Sequence, residues 1–239
     1  MSLHIYPDED TLIHAYAAYI TRQTGEAIAR SGRCNLVLVG GNSPKRVYQL
    51  LTKPPYRNAV SWEKVYFFFG DERYVPADHE RNNAHMAWET LLKPLGIDHS
   101  KVFVMDTSLT PEETAHQYAL QIGRHFQEQP VSFDLVLLGL GDNAHTASLF
   151  PGSTVINETT PTVSALYVPD EKEFRITLTA PLINQAHRVS FLAFGVAKAL
   201  AVYQVIEGER DAMLYPAQII QPLHHPADWF LDSPAAALL

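Results

Sequence analysis

The sequence predicts an α/β fold: a parallel or mostly parallel sheet with helices on both faces. Two observations carry this. Short apolar runs alternate with longer amphipathic ones along the whole chain, and strand–helix alternation of that kind builds parallel sheets covered by crossover helices. Several of the apolar runs, at 36–39 and 135–138 among them, are continuous, as strands buried on both faces must be.

The elements follow in order. Helix 9–30 opens behind Asp8, and strand 36–39 comes next. Ser43-Pro44 starts a helix over 44–51, with serine as cap and proline in the first turn. Strand 65–69, helix 82–92 and strand 102–105 come next. Thr110-Pro111-Glu112-Glu113 reads as a capping box with proline at the first helical position, beginning helix 111–128. Strands 135–138, 163–168, 175–178 and 189–194 and a helix over 196–206 complete the series. Pro54-Pro55 and the stretch 151–161 read as loops.

Composition narrows the function. The 239 residues are 46% hydrophobic and 18% charged, enough for one core, so the expectation is a single domain over 1–239. No apolar stretch approaches the ~20 residues of a membrane span. The early acids Asp8, Glu9 and Asp10 do not fit a secretory leader. Cys34 is the one cysteine and has no disulfide partner within the chain. A cytoplasmic location is therefore expected. The net charge of −8, from 18 basic and 26 acidic residues, argues against nucleic acid and acidic membranes as partners. An anionic ligand would have to be held by a few local cations and backbone amides.

In such sheets ligands bind beyond the carboxyl ends of the strands. Three polar, glycine-bearing loops fall there: Gly40-Gly41-Asn42-Ser43-Pro44, Gly70-Asp71-Glu72-Arg73, and the run from Gly139 through Asp142, Asn143 and Ala144 to His145 and Thr146. The first resembles an anion cradle, with Ser43 offering hydroxyl and amide at a helix start; a plain serine-capped turn is the alternative. The second places Asp71 for proton handling or orientation and Arg73 for binding charge, against the alternative of a surface ion cluster. The third matches a dinucleotide fingerprint, but Pro151-Gly152 interrupts the chain too soon for the long helix that the fingerprint opens, so no nicotinamide cofactor is expected. His145, with an ordinary pKa of about 6.5, suits a general base. The other histidines, such as His14, His116, His224 and His225, read as surface residues. Ser148 lies outside any G-x-S-x-G elbow, which disfavours a serine hydrolase. Arg175 opens a strand. Lys198 sits in the first turn of a helix, where its charge opposes the dipole unless an anion joins it.

These segments together resemble the 6-phosphogluconolactonases, within the larger group that includes glucosamine-6-phosphate deaminase. The matching stretches are GGNSPKRVYQLL at 40–51, FFFGDERYVPADHERNNAHM at 67–86, FDLVLLGLGDNAHTASLFPG at 133–152, RITLTAPLIN at 175–184 and FLAFGVAKA at 191–199. They run in family order. The resemblance implies a three-layer, modified Rossmann-like α/β/α fold, no cofactor and no metal. It also implies hydrolysis of 6-phospho-D-glucono-1,5-lactone to 6-phosphogluconate, the second step of the oxidative pentose phosphate pathway. His145 would activate water for attack on C1, and Arg73 would stabilise the oxyanion. Asp71 would orient His145 or bind sugar hydroxyls. Gly41, Asn42, Ser43, Arg175 and Lys198 would hold the phosphate. The chain departs from the family's usual D-G-H-T, carrying Asn143-Ala144 before His145-Thr146; Asn143 can accept a hydrogen bond but supplies no charge. It also reads G-G-N-S-P where G-G-S-T-P is common, which keeps a hydroxyl at Ser43.

Two rivals are weighed. An amino-sugar-phosphate isomerase or deaminase would carry D-E-Y and lack L-F-P-G, so Arg73 and the stretch 149–152 favour the lactonase. A non-catalytic sugar-phosphate sensor would keep Ser43, Arg175 and Lys198 but would have no need of His145, and would usually bring a basic helix–turn–helix that this sequence lacks. Oligomeric state is expected to be monomer or small homo-oligomer.

Overall fold

The computed structural model describes residues 1–127 and 129–239. Its strands in chain order are β1 (Ser2–Tyr6), β2 (Cys34–Leu38), β3 (Val65–Phe69), β4 (Asp71–Arg73), β5 (Leu135–Gly139), β6 (Val163–Val168), β7 (Glu173–Leu178), β8 (Arg188–Ala193) and β9 (Asp228–Asp232). Six of them form one sheet in the order β1-β9-β8-β5-β2-β3, parallel throughout. The inner strands β2 and β8 are buried almost end to end. Phe67, Phe68, Phe191 and Trp229 pack into a single contiguous core, with Phe191 stacked on Trp229 at 4.0 Å. Each such fully buried aromatic contributes about 1.5–3 kcal/mol.

Helices flank the sheet. Helix α1 (Glu9–Ser31) is capped by Asp8, whose carboxylate accepts from the Thr11 amide, and it ends at Gly32 in the left-handed region. Helix α2 (Ser43–Leu51) lies against it. Helix α3 (Asn83–Ala87) continues through a π-helical turn, Trp88–Leu92, into α4 (Lys93–Leu95). Helix α5 (Pro111–His125) carries the expected capping box between Thr110 and Glu113; the expected end at Glu128 lies outside the described residues. Helices α6 (Ala180–Asn184) and α7 (Ala199–Ile206) follow. Among the described residues no helix is long and apolar enough to cross a membrane.

Four differences from the sequence reading have physical causes. The run 102–105 is not a strand: it meets β3 at one bridge, Val102 to Phe67, and Val104 is exposed. Its apolar character comes from Phe103, which stacks on Phe68. Strands β6 and β7 leave the parallel sheet and form an antiparallel sheet with β4, in the order β4-β7-β6. The turn between them is too short for the crossover that a parallel pair needs. Edge strand β1 went unread because Leu3 and Ile5 stay exposed. Strand β9 went unread because it begins and ends in aspartate. Both aspartates are buried and bonded, Asp228 to the Tyr19 hydroxyl and Asp232 to the Gly195 and Ala235 amides.

The topology positions the site. After β2 the chain moves outward to β3, whereas after β5 it moves the other way to β8. The gap beyond the carboxyl ends of β2 and β5 is therefore a topological switch point. Gly70 fastens the small sheet over it. Its amide donates to the Leu38 carbonyl at 3.0 Å, and its carbonyl accepts from the Leu178 amide at 2.9 Å.

Candidate active site

A cleft of about 400 Å³ opens at this switch point. Loops after β2, β5 and β8 form its floor, and β4 and β7 form its wall. Asp71, Arg73, His145, Arg175, Lys198 and Ser43 all line it. Two of the remaining candidates stand apart. Gly41 lies beside Arg73 without lining the cleft. Asn42 is exposed at the N-cap of α2, makes no capping bond and does not line the cleft.

His145 is held from three sides. Its Nδ1 lies 2.6 Å from Asn143 Oδ1, and its amide donates to the same oxygen at 3.2 Å. An amide oxygen only accepts, so Nδ1 carries the proton and Nε2 keeps its lone pair. The Phe150 ring stacks on the imidazole at 4.2 Å. Gly141 packs under the ring: a Cβ there would come within 2.1 Å of Nδ1, so any other residue would displace the imidazole. Ala144 takes φ 61° in the turn before the histidine. Glycine adopts that conformation freely, whereas alanine spends about 1–2 kcal/mol, which gives a physical reason for glycine at this place in D-G-H-T.

Asp71 is anchored elsewhere. The Ser148 hydroxyl donates to its Oδ2 at 2.7 Å, and Asn83 Nδ2 donates to its backbone carbonyl at 2.9 Å. The hydrogen bond that orients His145 thus comes from Asn143, while Asp71 acts on the ring through its charge. Burial lowers the His145 pKa to about 4; Asp71 opposes this, and Lys198, Arg175 and Arg73 reinforce it. The residue is neutral at neutral pH. Asn83 also packs on Gly40, where a Cβ would stand 1.9 Å from Oδ1, so the first loop depends on a bare backbone too.

The wall is cationic. Arg73 and Arg175 are direct cross-strand partners of β4 and β7. Like charges opposite each other are unfavourable unless anions separate them. Arg175 is buried, and burial and Arg73 together lower its pKa to about 10. Glu171 and Glu173 both approach it, Glu173 at 3.1 Å from Nη1. Nη1 nevertheless makes no hydrogen bond. Arg81 also lines the cleft and pairs with Glu173 at 2.7 Å. Lys198 stands at the N-cap of α7 and pairs with Asp142 at 2.5 Å.

The sequence reading missed several residues. Arg81 and Glu171 lie in polar loop sequence with no periodicity to single them out, and Glu173 opens β7 two residues before the strand that the sequence predicts. Glu72, alternating away from the cleft, is buried and accepts from the Arg73, Asn83 and Ala84 amides, tying β4 to α3. Burial pushes its pKa up to about 7. His125 corrects the reading of the remaining histidines as surface residues. It packs edge-on to Phe68 and Phe103, bonds Asn35 at 2.7 Å, and has its pKa lowered to about 4 by burial. His14, His116, His224 and His225 are exposed, as expected.

Residues 7–229 match the family described as glucosamine-6-phosphate isomerases/6-phosphogluconolactonase. The chain belongs to this family. It is 37% identical to a 6-phosphogluconolactonase of Synechocystis sp., over 95% of this chain and 94% of that one. Among solved structures, the 6-phosphogluconolactonase of Trypanosoma brucei superposes with a TM-score of 0.86 at 29% identity, covering 100% of this chain and 98% of that one. The Trypanosoma cruzi enzyme gives 0.89 at 26% identity, covering 100% and 96%. In this chain Asn143 bonds the histidine and supplies no charge.

The His145 environment makes a prediction. A folded-state pKa below the unfolded value means that the unfolded chain binds more protons between about pH 4 and 6.5. The stability held above that window is lost as pH falls through it. In ¹H–¹³C NMR the His145 ring should titrate near pH 4, and Asn143→Asp should raise the midpoint, because a carboxylate favours the imidazolium. A wild-type midpoint near 6.5, or one unmoved by Asn143→Asp, would contradict this geometry.

Proposed function

We propose that this protein hydrolyses 6-phospho-D-glucono-1,5-lactone to 6-phosphogluconate, with His145 as general base. The observation that carries the reading is the cleft itself: an Nε2 lone pair, fixed by the Asn143 bond to Nδ1, shares one cleft with Arg73, Arg175 and Lys198. A δ-lactone is an activated ester, so water and a base are enough. His145 Nε2 takes a proton from water as the oxygen attacks C1. Arg73 offsets the charge on the tetrahedral oxyanion. The imidazolium then gives its proton to the ring oxygen as the C1–O bond breaks, leaving the acid and a free hydroxyl. Asp71, anchored by Ser148, supplies the negative charge that favours the transient imidazolium. A dianionic phosphate at Arg175 and Lys198 counters the cations that depress His145, so substrate strengthens its own base.

Ser43, Arg175 and Lys198 hold the phosphate in this reading. The unbonded Nη1 of buried Arg175 supports it, because a buried donor without a partner is costly. Asn42 and Gly41 contribute the shape of the loop. The one contiguous core supports a single domain over 1–239, and the reading includes a cytoplasmic setting with neither nucleic acid nor membrane as partner. It also requires no metal. Among the described residues no three His, Cys, Asp or Glu side chains are grouped to hold one.

Three outcomes test this. Purified protein should accelerate lactone hydrolysis well above the spontaneous rate, and His145→Ala should lower kcat by roughly 10²–10⁴-fold with the fold intact; near-normal kcat removes His145 from the mechanism. Arg175→Ala and Lys198→Ala should raise KM for the phosphorylated lactone far more than for gluconolactone, and equal losses on both would end the phosphate assignment. Activity should survive dialysis against EDTA; a loss restored only by zinc or magnesium would show that the metal-free mechanism is wrong.

A further inference from the structure

Three cations of the cleft are not free. Arg81, Arg175 and Lys198 each pair with a carboxylate, and the pairs are of two kinds. Glu173 is nearly as buried as Arg175, at 10% and 6% side-chain exposure, and Arg81 holds its other side. It is a permanent counter-ion. Glu171 differs. Its side chain is 38% exposed, and it lines the cleft from the turn between β6 and β7. Its amide is tied to the Val168 carbonyl at 3.2 Å, so the turn holds the carboxylate at the mouth. Asp142 resembles it: 68% exposed, while its partner Lys198 is 23% exposed.

The asymmetry has a consequence for binding. A buried guanidinium needs an anion, whereas an exposed carboxylate returns to water at little cost. The cation stays and the carboxylate can leave. We propose that Glu171, with Asp142 as its counterpart on Lys198, is an internal competitor for the phosphate: it neutralises Arg175 in the empty site and is displaced when a phosphate ester binds. This deepens the lactonase reading and rests on it. Displacement taxes substrate and product equally, since both carry the same phosphate. It weakens retention of a product that adds a new carboxylate to that phosphate, and so favours release.

The test is calorimetric titration of the whole protein with inorganic phosphate at slightly alkaline pH. Wild type, Glu171→Gln and Asp142→Asn are compared with Asp170→Asn, which removes an exposed neighbouring charge that makes no contact with the cleft. Glu171→Gln should tighten phosphate binding by about three- to tenfold, the scale of one partly exposed ion pair. Asp142→Asn should tighten it by less, and Asp170→Asn should change it by under about twofold. KM for the phosphorylated lactone and the inhibition constant of 6-phosphogluconate should fall by the same factor in Glu171→Gln, as uniform binding requires. Phosphate should also raise the Tm of Glu171→Gln more than that of wild type, because the unliganded variant leaves Arg175 under-neutralised. Unchanged or weaker phosphate binding in Glu171→Gln overturns the proposal. So does an equal effect from Asp170→Asn, or no phosphate binding in any form. The two readings fail separately. Tighter phosphate binding in a protein that does not hydrolyse the lactone sinks the activity alone. Hydrolysis with phosphate affinity unmoved by Glu171→Gln sinks this inference alone.

Discussion

The site depends on one antiparallel pairing, β4 with β7, which sets the guanidinium of Arg73 opposite that of Arg175. Left bare, that pair is repulsive. It persists because Gly70 bonds both Leu38 at the end of β2 and Leu178 at the end of β7, and because Glu72 clamps β4 to α3 through the Asn83 and Ala84 amides. The parallel sheet supplies the gap at its switch point. The small sheet supplies the charge over it. His145 comes from a third direction, on the loop after β5, and meets the cations only because β2 and β5 are neighbours.

Charge balance explains how an acidic protein accommodates an anion. The chain carries −8 overall, so a phosphorylated ligand meets repulsion at long range. Inside the cleft cations outnumber carboxylates: Arg73, Arg81, Arg175 and Lys198 line one cavity with Asp71 and Glu171. Burial, reinforced by Lys198, Arg175 and Arg73, keeps His145 neutral. In the proposed mechanism, binding and catalysis are therefore coupled through one field, and an anion that neutralises the wall would also restore basicity to the histidine.

Much of this was legible in the sequence. Continuous apolar runs located the inner strands, because strands covered on both faces leave no polar periodicity. The capping box at Thr110 and the proline start at Pro44 marked their helices. The loops after β2, β3 and β5 stood out because glycine and polar residues followed buried runs. What stayed hidden depended on tertiary placement. Strand β9 reads as polar at both ends, since nothing local reveals that Asp228 and Asp232 bond to distant groups. The antiparallel sheet was concealed because β6 and β7 are apolar enough to read as strands, and only their short connecting turn distinguishes them from the parallel set. The sequence leaves Asp71 to orient His145 or to bind sugar hydroxyls, and only the fold shows Ser148 and Asn83 anchoring it while Asn143 bonds the histidine. Glu171 and Arg81 carried no signal, because their meaning lies in which side chain faces them across the cleft.

The central claim is that a neutral, pre-oriented His145 acts as the base beneath this cationic wall. The most direct test is the pH dependence of enzyme-catalysed kcat/KM for unphosphorylated gluconolactone, corrected for spontaneous hydrolysis. That substrate has no titrating group, so the profile reports the free enzyme. The account predicts a level profile from neutrality down through mildly acidic pH, then a loss of about tenfold per pH unit below a midpoint near 4. A midpoint near 6.5, or an acid limb that persists unchanged in Asn143→Asp, would contradict it.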